Sequence, residues 1–234
     1  AEDLGIDISS GDEETEVVED VASQVTREQV IHALTIKGFV VPNDLGPALL
    51  TSPEVVAGLL DEAVGDGLAA VIAGSALAGM FQLTEDGKAL GLKQIAADRA
   101  SWGADNAAVA LDDLLPFDHR MKLIMTGWQM REVDGQQILN DHSDEAYDAV
   151  VLADFQSLHE DTSAWLGRLS EGLPRLGLYR DRLQRAGERV AAGETNYLAS
   201  PRVDSFHSVW FELHEDLIRL AGRTREEEAA AGRA

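Results

Sequence analysis

The tetrapeptide Leu-His-Glu-Asp occurs twice, at 158–161 within FQSLHEDTSAWL and at 213–216 within WFELHEDLIRLA. A histidine beside two carboxylates is the makings of a metal half-site or an acid–base pair, and spacing tests both. A carboxylate-bridged metal centre in a helical bundle needs inward glutamates plus a Glu-x-x-His pair from each of two helices. Three residues before His159 stands Gln156, and three before His214 stands Phe211; only Asp204-x-x-His207 approaches the pattern. His207 and His214 are two helical turns apart, roughly 10 Å by helix rise, too far to share one ion without long rotamer reach. Leu158 and Leu213 fall on apolar stripes. That places His159 and His214 one step round the helix, at the border of the core, and turns the acids that follow toward water. The repeat therefore reads as two boundary segments of similar helices, with no metal expected.

A softer constellation lies in DSFHSVWFELHED (204–216), where Phe206, Trp210 and Leu213 run beside His207, Phe211 and His214. With Trp128 and His142, the residues Asp204, His207, Trp210 and His214 form a candidate pocket. The competing reading has the aromatics filling the core while the histidines find hydrogen-bond partners, and it is the favoured one. NDH (140–142) reads as a helix entry in preference to an Asp-His dyad. No serine sits in a nucleophile elbow, and there is no Walker loop or GxGxxG. No catalytic residue and no cofactor are expected.

These side chains are carried by elements that caps and periodicity delimit. Thr26 and Gln29 form a capping box ahead of Val30, Ile31, Leu34 and Ile36, and GFVVP stops that helix. TSPE opens a helix bearing Val55, Val56, Leu59, Leu60 and Val64, with Pro53 near its first position. LAAVI (68–72), AGSALAG and MFQL (80–83) read as a two-stranded hairpin, and Thr84 caps the helix that follows. Beyond residue 100 the pattern is all-helical. Four amphipathic stripes run through Leu114–Trp128, Val151–Leu169, Leu176–Val190 and Val203–Leu220. Ser143 is the expected cap of the second and Ser200-Pro201 the opening of the fourth, while TREE (224–227) caps a terminal helix.

At 234 residues the chain can hold one large or two small domains. Its 19 Lys and Arg face 42 Asp and Glu, a formal charge of −23. Nucleic-acid binders gain most of their affinity from Lys and Arg releasing counterions. A chain this acidic must overcome its own field to approach DNA or an anionic membrane, so protein partners with a basic patch are expected. The segment AEDLGIDISSGDEETEVVEDVASQ (1–24) has no Lys or Arg and reads as a disordered acidic arm. No cysteine is present, which removes disulfides and thiolate zinc sites and suits a reducing, cytoplasmic location. No apolar run is long enough for a membrane span.

The order helix, short helix, helix, hairpin, helix resembles a winged helix-turn-helix domain, and GLAAVIAGSALAGMFQLTEDGKALG is similar to the wing of MarR-type proteins. The resemblance covers roughly residues 26–97. It implies a winged helix with a small β-hairpin wing; the four amphipathic helices beyond it, with Gly stops and short joins, read as an antiparallel four-helix bundle, so the fold is expected to be mainly α. The expected divisions are an arm at 1–24, the winged helix at 25–100, the bundle at 101–223 and a tail at 224–234. WQMR (128–131), NDHSDEAYDAVVL (140–152) and DSFHSVWFELHEDLIRLAGR (204–223) resemble the C-terminal region of pyruvate phosphate dikinase-like, phosphoenolpyruvate-utilising bacterial proteins. Those enzymes use an ATP-grasp domain and a mobile histidine domain. No GGxxSHxA-like stretch surrounds a histidine here, so the phosphohistidine role transfers to no residue. The resemblance implies an accessory module working with a phosphotransferase.

In a winged helix the groove-reading element would be PEVVAGLLDEAV (53–64). It offers Glu54, Asp61 and Glu62 and no Lys, Arg, Asn or Gln, whereas base readout draws mainly on those four types. The basic residues Arg27, Lys37, Lys88 and Lys93 are too few to offset the acids, unless a dimer turns them toward the duplex. A non-catalytic interaction or regulatory module therefore ranks first, with Glu54, Asp61 and Glu62 as the partner-binding residues. A transcription regulator ranks second and a bundle-pocket enzyme third.

Overall fold

The computed structural model describes residues 25–233; the arm read at 1–24 lies outside them. The described chain is mainly helical, with small antiparallel sheets.

In the first half, α1 (Arg27–Lys37) opens on the expected capping box: Gln29 N donates to Thr26 Oγ1 at 3.3 Å and Thr26 N donates to Gln29 Oε1 at 2.8 Å. Then come β1 (Phe39–Val40), α2 (Pro42–Ala48), α3 (Pro53–Gly65), β2 (Ala69–Val71), β3 (Phe81–Leu83) and α4 (Glu85–Trp102). Ser52 caps α3 by accepting from Val55 N, and Thr84 caps α4 by accepting from Gly87 N. The hairpin read from sequence gains a third member. Phe39 and Val40, read only as a helix stop, pair antiparallel with β3, giving the strand order β1-β3-β2. Too short for a visible alternation, such a strand is set by its partner.

The second half runs α5 (Ala104–Gln129), β4 (Met130–Val133), β5 (Gln136–Leu139), α6 (Glu145–Gly172), a 3-10 turn at Pro174–Leu176, α7 (Gly177–Ala191), α8 (Asn196–Ala199), α9 (Phe206–Leu220) and α10 (Arg225–Ala230). The all-helical reading is corrected here, because β4 and β5 form a hairpin through Asp134 and Gly135 at φ 52° and 76°. Asp-Gly with both residues left-handed is the turn whose twist matches paired strands. Two caps also move. Asp144, not Ser143, accepts from Tyr147 N at 3.0 Å, because the Ser143 hydroxyl is engaged by Asp141 at 2.7 Å. Ser205, not Ser200, starts α9 and accepts from Ser208 N at 3.2 Å. Thr224 caps α10 with a full capping box.

Two buried apolar clusters result. One gathers Val30, Ile31, Leu34, Leu45, Val56, Leu60 and Leu83 from the first half. The other gathers Leu114, Met121, Phe155, Leu158, Trp165, Leu183, Phe206 and Trp210 from the second. α5 packs on α6 and α9, and α7 packs on the same two helices. α9 also meets α1 and α4, so it lies between the clusters and is covered on opposite sides. α6 touches α4 at its C-terminal end, where Gly172 lies against the Trp102 ring, and keeps a wet face at Gln156, Glu160 and Asp161.

The joint between α4 and its neighbours depends on glycines. A Cβ on Gly87 would meet Leu68 O at 1.9 Å, and one on Gly91 would meet Thr35 Oγ1 at 1.9 Å. The Leu68 carbonyl is fixed because it accepts from Thr84 N at 3.0 Å. Gly58, on the open face of α3, has nothing within 4 Å. Gly87→Ala is therefore expected to destabilise by about 2 kcal/mol or more through overpacking, whereas Gly58→Ala should stabilise by roughly 0.5–1 kcal/mol through helix propensity. Chemical denaturation of the two variants checks the pair; equal effects would contradict the packing described.

Candidate functional site

The second Leu-His-Glu-Asp ends in Asp216, which is fully buried on α9. An unpaired carboxylate there would cost several kcal/mol, and the neighbouring elements supply partners. Arg175, from the 3-10 turn before α7, grips both carboxylate oxygens, with Nη2 at 3.1 Å from Oδ1 and Nη1 on Oδ2. Tyr179 of α7 donates its hydroxyl to Oδ2 at 2.9 Å. His32 of α1 brings Nε2 to 3.0 Å from the same oxygen and to 3.1 Å from Arg175 Nη1. Arg175 Nε also donates to Asp98 of α4 at 2.5 Å. One carboxylate thus ties together α1, α4, α7 and α9.

The electrostatics follow from burial and charge. Burial alone would raise the Asp216 carboxyl, but Arg175 and His32 beside it hold it well below the usual carboxylate range. Burial opposes the charge on Arg175, and Asp216 more than offsets it, leaving that guanidinium more firmly protonated than in water. The Tyr179 phenol is pushed well up, first by burial and then by the Asp216 charge.

A second cluster continues the first along α7 and α9. Arg182, 3 % exposed, donates from Nε and Nη2 to Asp204 at 3.0 and 2.6 Å and from Nη1 to Glu212 at 2.8 Å. Glu212 also accepts from Lys37 of α1. Burial works against the Arg182 charge, while Glu212 and Asp204 raise its pKa. Between α1 and α4 on one side and the 3-10 turn and α7 on the other lies an open cleft of about 790 Å³, into which His32, Lys37, Asp98, Arg175, Tyr179 and Arg182 face.

The six pocket residues expected from sequence do not converge; they divide among three places. Trp128 and His142 meet with ring centroids 4.3 Å apart and planes tilted by 35°, where α5 gives way to the hairpin. There His142 Nδ1 lies 2.9 Å from Asp148, and Asn140 donates to Asp148 at 2.7 Å and to Trp128 O at 3.2 Å. This knot fixes the entry to α6. Asp204 belongs to the Arg182 cluster. Trp210 Nε1 donates to buried Asp118 of α5 at 3.1 Å, and His214 Nδ1 lies 3.8 Å from it. Burial lowers both His207 and His214. Glu54, Asp61 and Glu62 are all exposed on the outer face of α3. Among the described residues, no group of three or more His, Asp or Glu is placed to hold a metal ion.

The border reading of the histidines is corrected: His159 and His214 are 6 % and 5 % exposed. The His159 ring lies on Gly187 of α7, where an added Cβ would come within 2.5 Å of Cε1. It packs parallel to Phe155 and edge-on to Phe206. Among the described residues neither of its nitrogens has a hydrogen-bond partner, and Gln184 beside it donates its amide to Glu188 at 2.9 Å. The statement that the acids turn to water holds for the first copy, where Asp161 makes a half-exposed pair with Arg120 at 2.6 Å. It fails for the second, because α1 and α4 cover the flank of α9 that stays open on α6.

The residues that sequence reasoning missed are Asp216, Arg175, His32, Tyr179 and Arg182. A local signal existed for Asp216. It stands three residues after Leu213 and four before Leu220, which places it on the apolar stripe of the helix and not on its charged face. Arg175 and His32 carried no signal, since nothing local announces a partner far along the chain.

Two outcomes follow. With its pKa lowered on folding, Asp216 contributes stability that is present above the unfolded carboxylate range, about pH 4, and lost as pH falls below it. Asp216→Asn should cost roughly 3–5 kcal/mol near neutrality by leaving Arg175 only the part-exposed Asp98 as counter-charge. Its deficit relative to wild type should shrink as pH falls below 4; a constant deficit in urea titrations would contradict the assignment. His159 has the opposite charge logic. Burial lowers its pKa, so below about pH 6.5 the unfolded chain takes up a proton that the folded chain resists, and stability drops. His159→Leu should reduce the loss of melting temperature between about pH 7.5 and 5.5 without abolishing it, because His207 and His214 share the trend. An unchanged loss would contradict burial of the neutral ring.

The chain matches no protein-family model, no curated protein and no solved structure, so its own geometry carries the functional reading.

Proposed function

We propose that this protein is a non-catalytic interaction or regulatory module. Its first half is a winged helix-turn-helix turned to protein recognition, and its second half is an antiparallel four-helix bundle of α5, α6, α7 and α9. The order α1, β1, α2, α3, β2, β3 with β3 central in the sheet supports the winged-helix reading, as the packing of α7 and α5 on α6 and α9 supports the bundle. The partner is a protein with a basic patch. The segments similar to phosphoenolpyruvate-utilising proteins make a phosphotransferase the first candidate.

The observation that carries the proposal is the outward face of α3. Glu54, Val55, Gly58, Asp61 and Glu62 are all exposed there, and the helix has no cation. The backbone N–H of Glu54 and the Ser52 hydroxyl lower the Glu54 carboxyl, so it is ionised at neutral pH. In a winged helix this face would enter the major groove, where three carboxylates would meet phosphate. The nearby cations are largely engaged: Arg27 by Asp66, Lys37 by Glu212 and Lys88 by Glu85. A basic partner would instead find complementary charge around the exposed Val55, which speeds encounter and fixes register.

No salt-sensitive mobility shift is expected with promoter or random duplex at low ionic strength. Asp61→Lys with Glu62→Lys should weaken co-purification with a phosphotransferase while leaving the circular dichroism spectrum unchanged. Nanomolar, sequence-specific duplex binding would overturn the proposal in favour of a transcription regulator.

A further inference from the structure

We infer that the cleft between α1, α4 and α7 is a binding site for a small organic ammonium, a primary amine carried on an apolar body. This goes beyond the partner reading and does not depend on it.

The size suits a small molecule, since the cleft's volume of about 790 Å³ falls within the roughly 300–1,000 Å³ of such sites. Its walls are apolar at Ala33, Ile36, Leu49, Pro174 and Leu178. Charge then selects the class. The cations facing the cleft are Lys37, Arg175, Arg180 and Arg182, and every one is already paired with a carboxylate, namely Glu212, Asp98 with Asp216, Asp181, and Asp204 with Glu212. An anionic ligand would have to break one of these pairs and enter against the field of a chain carrying −23.

Acceptors, by contrast, remain free. His32 uses Nε2 on Asp216, and its Nδ1 has no protein partner among the described residues. Asp98 receives Arg175 on Oδ2, and its Oδ1 is likewise without a partner among them. Both residues touch the same guanidinium, Asp98 at 2.5 Å and His32 at 3.1 Å. Around Arg175 stand two carboxylates, Asp98 and Asp216, for one guanidinium. An ammonium group donating to Asp98 Oδ1 beside His32 adds a cation there, and its apolar body lies along the Ala33–Leu178 wall. Because α1, α4 and α7 all bound the cleft, an occupant bears on the elements that Asp216 joins.

The test is calorimetric titration of the full chain near pH 7.5, where alkylamines are protonated. The probes are matched pairs of equal body: butylamine with butyrate, hexylamine with hexanoate, octylamine with octanoate, and phenethylamine with phenylacetate. At least one amine should bind one-to-one, with its carboxylate twin at least about tenfold weaker. Asp98→Asn, which keeps an acceptor but removes the charge, should weaken that amine about tenfold or more. Ala97→Phe, at an exposed position on the cleft rim, should abolish binding without touching the core, and Glu54→Gln on α3 should change nothing. Absence of saturable binding by every amine, equal binding of the carboxylates, or binding indifferent to both cleft variants would overturn the inference.

Discussion

A carboxylate removed from water needs a cation within reach, and Asp216 finds Arg175. The rest of the architecture is arranged around that requirement. Asp216 stands on α9, a helix of the second apolar cluster that also packs on α1 and α4, and Arg175 stands in the turn that starts α7. His32 and Asp98 bring α1 and α4 to the same point. Apolar burial supplies most of the driving force for each cluster, but it is non-directional and would tolerate sliding of one cluster on the other. The ion pair is directional, and its cost when broken is large, so it sets how the two clusters meet. The Arg182 cluster with Lys37 repeats the device one and two turns along.

The two copies of Leu-His-Glu-Asp show how far local sequence decides environment. Both are helical and both place leucine in the core. Their histidines are both buried, one against Gly187 and the other beside Asp118. Their aspartates diverge, since α6 is covered on one side and α9 on two. The same four letters therefore give a wet surface pair at Asp161 and a dry junction at Asp216.

Much of the fold was legible because it is carried by short-range rules. Thr26, Ser52, Thr84 and Thr224 cap where their side chains can reach the backbone N–H of the first turn. The apolar stripes through Leu114, Phe155, Leu183 and Leu213 mark the helices that bury them. The β4–β5 hairpin was legible too, in Asp134-Gly135, but an overall helical period hid it. The candidate site was not legible, because it depends on pairs such as His32 with Asp216 that lie 184 residues apart. Surface charge was read more easily than buried charge: Glu54, Asp61 and Glu62 are exposed as the pattern of α3 requires, while Arg182 looked like an ordinary surface arginine and is not.

The central claim, that one buried ion pair sets the junction of the two clusters, is tested most directly by a double-mutant cycle on Arg175 and Asp216. The readout is hydrogen exchange on α1 and global stability by denaturation. Arg175→Met and Asp216→Leu should each release protection in α1 and lower stability by about 3 kcal/mol or more, because the first leaves buried Asp216 without its guanidinium and the second leaves Arg175 only the part-exposed Asp98. The double change should recover most of that loss, giving a coupling energy of at least roughly 2 kcal/mol. Additive losses, with α1 protected in both single variants, would contradict the account and leave the junction to apolar packing alone.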